Sequence, residues 1–232
     1  MIGILVQLTL SWIIVWLFEK GNLSFLGFFP TRRRLLDFTL FFIITAICCS
    51  TGFLLRMYFG KEQWEINPTL NTKLIFEGIW WNIKSILFEE LIFRGVIFYI
   101  LIKKIGIAKA IIISAIAFGI YHWFSQEVFG DIKQMAITFI LTGIMGALYA
   151  YGYTKTFSLY IPCAIHLGWN LTQGFLFSQG SIGNGILVLA KPQPIVNVSY
   201  FIYFSIQFLP ILSTWLINFL LLKRRKQIEF AS

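Results

Sequence analysis

The chain has 232 residues, of which 58% are hydrophobic and 12% charged, with a mean hydropathy of +0.78. That balance excludes an ordinary soluble domain and points to a polytopic membrane protein. The net charge of +9 sits mainly in short loops, as a topology signal does, so it does not argue for a nucleic-acid partner.

Windows long enough to cross about 30 Å of hydrocarbon fall at 2–18, 35–58, 74–101, 105–124, 134–151, 157–177 and 199–222. They predict an all-α transmembrane bundle of about seven spans. The first segment has neither a basic leader nor a small-residue cleavage site, so it reads as a retained span. The stretch from Gly180 to Pro194 is rich in glycine and proline and reads as a loop with a re-entrant turn. No internal repeat is visible and the connections are too short for a separate domain, so 1–232 is taken as one bundle. Lysine and arginine divide twelve against five between the two sets of loops, the rich set lying at 20–34, 103–109, 155 and 223–226. The positive-inside rule then puts the N-terminus outside and the C-terminus in the cytoplasm.

The third window contains Glu89-Glu90-Leu91-Ile92-Phe93-Arg94-Gly95. A charge near the bilayer centre costs at least ~2.5–3.5 kcal/mol, so three together call for a function. Glu90 and Arg94 stand at i and i+4, acid first, and are expected to pair. Glu89 is turned about 100° away on a 3.6-residue helix and must find partners on other helices.

The two histidines, His122 and His166, also lie inside predicted spans, and His166 shares a helical face with Asn170. Counted from Lys103, Lys109 and Lys155, the residues Glu89, His122 and His166 all lie about 16–21 Å from the basic side. One layer of a bundle can therefore hold a carboxylate and both imidazoles, as a membrane-embedded catalytic site requires. Ala115 with Gly119 and Gly146 with Ala150 would let helices approach closely around it. Cys48, Cys49 and Cys163 lack disulfide or zinc-ligand spacing. Cys163 lies three residues before His166, but an apolar setting disfavours a thiolate nucleophile.

Glu89-Glu90 with Arg94, Phe118 with His122, and His166 with Asn170, in that order on successive helices, resemble the CAAX-prenyl-protease and bacteriocin-processing (Abi) family. The resemblance implies an intramembrane glutamic endopeptidase, with a family-like core at about 74–177 and a peptide or membrane-protein substrate in the lipid bilayer. Glu89 would be the base that activates water, shared with His122; a carboxylate removed from water is a stronger base than a solvated one. His166 and Asn170 would stabilise the oxyanion. Glu90 and Arg94 would orient the motif helix. No cofactor is required in this reading; zinc held by Glu89, His122 and His166 is the alternative, disfavoured by the missing HExxH motif. A non-proteolytic immunity or peptide-binding protein would use the same pocket, and a transporter is weakened by the lack of a repeat. The abundance of Ile, Phe, Lys and Asn fits an AT-rich bacterial genome, hence a bacterial cell membrane and peptide maturation.

Overall fold

The computed structural model describes residues 2–178, 185–190, 193–194 and 196–226. Among them are eight α-helices: α1 (Ile2–Glu19), α2 (Arg32–Phe59), α3 (Thr72–Phe93), α4 (Val96–Ile105), α5 (Ile107–Ser125), α6 (Ile132–Thr156), α7 (Tyr160–Asn170) and α8 (Tyr200–Lys223). Five of these, α1, α2, α5, α6 and α8, are long and apolar enough to cross a membrane. Their outward faces carry large apolar side chains at helical spacing, such as Ile112 and Ile116 on α5 and Leu212 and Leu216 on α8. In water such faces would be untenable; in lipid they cost nothing, and the chain is a multi-pass membrane protein.

Local chemistry sets the helix starts. Thr31, Asn71, Asp131 and Ser199 each accept a hydrogen bond from the backbone N–H three residues on, opening α2, α3, α6 and α8. The α5–α6 pair is close because small residues line its seam: Gly119 faces Phe139 and Gly146 faces the Phe118 ring. Helix α2 packs against both α7 and α8, where Asn218 donates to the Thr45 hydroxyl at 3.2 Å. Helix α1 runs parallel to the end of α3 and to α4, since Gly3 lies against Phe88 while Glu19 pairs with Lys103.

The structure corrects the predicted elements in three places. The helix read over 74–101 is two helices, broken at Arg94-Gly95, and the second runs on to Ile105. The backbone closes so tightly there that a Cβ on Gly95 would stand 2.0 Å from the Leu91 carbonyl oxygen. The Phe93 carbonyl, released by the break, accepts from the Ser114 hydroxyl of α5 at 2.9 Å. Hydropathy has no term for such a break. Gly95→Ala is expected to lower stability by about 1–3 kcal/mol through overpacking, measured as thermal unfolding in detergent.

The second correction concerns 157–177. Helix α7 starts at Tyr160 and passes at Leu171–Leu176 into a π-helical turn, in which the Phe177 N–H reaches the Thr172 carbonyl at 3.1 Å. The third is that the fold is not wholly helical. Strands β1 (Trp64–Ile66) and β2 (Leu187–Leu189) pair antiparallel, Glu65 opposite Val188. Three residues are too few for a period-2 pattern to show, and the partners are far apart in sequence. Strand β2 lies inside the stretch read as a loop; the remainder of the predicted re-entrant turn falls mostly on residues outside those described.

Candidate active site

Glu90 and Arg94 are both fully buried, and the guanidinium grips the carboxylate with Nε and Nη2. The pair forms although Arg94 is already past the last residue of α3, at its C-cap. The Arg94 guanidinium also lies over the rings of Phe118, 4.6 Å, and Tyr149, 5.4 Å. Electron-rich ring faces stand in for part of the hydration it has lost. Glu90 has a second partner that spacing along one helix does not reveal: its Oε1 is 2.8 Å from His166 Nδ1. A carboxylate paired with arginine accepts, so His166 donates from Nδ1, and its ring is further fixed by stacking on Tyr149 at 4.9 Å.

His122 is held in the same sense. Its Nδ1 lies 2.8 Å from the Phe118 carbonyl four residues back, and a carbonyl only accepts, so the proton is on Nδ1. The Nε2 atoms of both histidines then point at one oxygen. Glu89 Oε2 is 3.8 Å from His166 Nε2 and 4.0 Å from His122 Nε2, and it is buried with no hydrogen-bond partner among the described residues. Neither separation is a direct hydrogen bond, and each suits one water bridging two acceptors at about 2.8 Å apiece. A tetrahedral zinc with ligands at ~2.0–2.2 Å would draw the same atoms to about 3.4 Å. The donor set is right for zinc; the spacing is looser than zinc needs.

A cavity of about 290 Å³ opens beside this cluster, with His122, His166 and Asn170 in its wall. The Asn170 side chain makes no hydrogen bond among the described residues, leaving its amide turned to the cavity rather than spent on the bundle. All six residues singled out in the sequence therefore belong to one place: Glu89, Glu90, Arg94, His122 and His166 in a contiguous cluster, Asn170 on the adjoining wall. Cys163 packs against the apolar core that includes Leu91, Val96 and Leu159, and makes no hydrogen bond to the cluster among the described residues.

Sequence reasoning missed Tyr149, Ser114 and Gln173, the last of which also lines the cavity. Gln173 was within reach, at seven residues from His166 and three from Asn170 on one helical face. Tyr149 and Ser114 gave no signal, because an aromatic and a small hydroxyl are ordinary in any membrane helix.

Residues 71–172 match the family described as type II CAAX prenyl endopeptidase Rce1-like. No curated protein and no solved structure matches the chain. The matched stretch runs from the N-cap of α3 to the start of the π turn and contains every residue of the cluster. Over that stretch, which carries the whole site, the chain is similar to the type II CAAX prenyl endopeptidase Rce1-like family.

Proposed function

We propose that the chain is an intramembrane endopeptidase that hydrolyses a peptide bond with water activated by Glu89. The observation that carries this reading is Glu89 Oε2, without a hydrogen bond among the described residues, facing two imidazole Nε2 atoms at 3.8 and 4.0 Å. A water between Glu89 and His122 loses a proton to the carboxylate as its oxygen attacks the scissile carbonyl. Glu89 then returns that proton to the leaving amine. Asn170 donates to the oxyanion that forms. For His166 to donate there too, its ring must carry a proton on each nitrogen, and the Glu90 carboxylate on Nδ1 is the counter-charge for that form. Glu90 and Arg94 orient the helix end and His166 together.

The chain is read as one bundle, 1–232, with its catalytic core at about 74–177 and about seven crossings, α3 with α4 counting as one broken span. The basic loops favour an outside N-terminus and a cytoplasmic C-terminus in a bacterial cell membrane. The substrate is a peptide or a segment of a membrane protein, with peptide maturation or bacteriocin immunity as the setting.

Zinc on Glu89, His122 and His166 is the rival mechanism, and the same assay separates the two. With a quenched-fluorescence peptide library in detergent, activity is expected to survive exhaustive chelation, and Asn170→Ala is expected to lose about two to three decades in turnover. Stoichiometric zinc in the active protein, with rescue of chelated enzyme by added zinc, would replace the water mechanism by a metal one.

A further inference from the structure

A second cavity, of about 110 Å³, lies between α2, the π turn and α8, with Arg56, Cys49, Phe53, Gln173 and Gln207 in its wall. Trp169 and Gln173 line both this cavity and the larger one, so the two share a wall. That wall is the same helix that carries His166 and Asn170.

Arg56 is a charged group in the wall of the second cavity, and among the described residues its side-chain donors make no hydrogen bond. Its guanidinium lies over the Phe53 ring at 4.4 Å. Among the described residues it makes no side-chain hydrogen bond, and its buried Nε has no hydrogen-bond partner. Its ion-pair partner, Glu62, is 3.6 Å away, and the same Glu62 oxygen already accepts from Trp64 Nε1 at 3.2 Å. The ring and Glu62 thus aim the guanidinium without occupying its fork. An arginine fork poor in water is matched by a carboxylate, which accepts two parallel N–H bonds. The amides of Gln173 and Gln207 also make no hydrogen bond among the described residues and offer donors and acceptors for a peptide backbone. Gln173 stands seven residues from His166, about 10 Å along the helix, which a short extended segment covers.

We propose that Arg56 is a positioning residue that receives a carboxylate of the bound peptide, with Gln173 steering the chain between Arg56 and the scissile bond. This rests on the endopeptidase reading and adds what that reading lacks, a chemical preference for the substrate. A carboxylate held at a fixed distance from Glu89 sets which bond lies over the water.

The test uses the full chain in detergent carrying Glu89→Gln, so that bound peptide is not cut. Fluorescein-labelled hexapeptide pools, random but without Asp or Glu, are compared by anisotropy in three forms: free C-terminal carboxylate, C-terminal carboxamide, and carboxamide with one internal aspartate. At least one carboxylate-bearing pool is expected to bind about 10- to 100-fold more tightly than the plain carboxamide. Which of them does so identifies the α-carboxylate or a side chain as the source. Adding Arg56→Gln should remove the preference, and Arg56→Lys should keep part of it. Equal binding of all three pools, or a preference that survives Arg56→Gln, overturns the proposal. Where Arg56→Gln folds poorly, Arg56→Lys carries the comparison, and an undiminished preference in that variant overturns the proposal. Cleavage of the pools by the chain with Glu89 intact, read by mass spectrometry, tests the protease reading separately. Preference without cleavage keeps the subsite and removes the protease; cleavage without preference removes the subsite alone.

Discussion

Glu89→Gln is expected to abolish peptide cleavage, a fall of about 10²–10⁴ or more, while the protein remains folded. The amide keeps the shape of the carboxylate but cannot take a proton from water. Among the described residues Glu89 Oε2 has no hydrogen-bond partner, and its contacts with the two imidazoles are 3.8 and 4.0 Å, while Glu90 stays on His166 Nδ1 at 2.8 Å, so the substitution leaves His166 its counter-charge. It also removes the cost of keeping a carboxylate in a site only 12% exposed. Thermal stability in detergent should therefore hold or rise as activity disappears. A binding or immunity protein that uses the same pocket would tolerate the exchange. Retained function in Glu89→Gln, with unchanged expression, would move the chain to that class.

Arg94→Ala has the opposite signature and should be the most destabilising change in the motif, at about 3–5 kcal/mol. It leaves Glu90, with no solvent access at all, short of the cation that neutralises it. The His166 contact alone would then have to hold that carboxylate. Arg94→Lys should recover only part of the loss, because one ammonium cannot reproduce the two-point grip or the flat contact with Phe118 and Tyr149. Glu89→Ala should destabilise far less than either. Thermal unfolding of the purified variants measures this order. Equal or reversed losses for Arg94→Ala and Glu89→Ala would mean that the two glutamates exchange roles. Since Glu90 also holds His166, Arg94→Ala should lose activity beyond what its folded fraction explains.

Much of the site was legible along the chain because membrane burial makes polar residues conspicuous. A carboxylate pair, an arginine and two imidazoles stand out in a chain with 12% charged residues, and helical rise converts their positions into depths. The prediction that Glu90 pairs with Arg94 needed only i, i+4 geometry, and the common layer of Glu89, His122 and His166 needed only counting from the basic loops. Both are relations within one helix or measured along one axis.

What runs between helices was decided by the tertiary structure. The rotation of each helix about its axis is set by packing, and it determines that His166 turns Nδ1 to Glu90 and Nε2 to Glu89. Tyr149 and Ser114 acquire their roles from being carried on neighbouring helices to a ring and a freed carbonyl. The break at Arg94-Gly95 and the π turn after Asn170 change hydrogen-bond partners without changing hydropathy, so no window average detects them. The sequence alone determined which groups the membrane must hide and how deep they lie, because transfer energy and helix rise belong to the chain itself. Which of those groups touch was left to the fold, because contact depends on side-chain shape across the seams between helices.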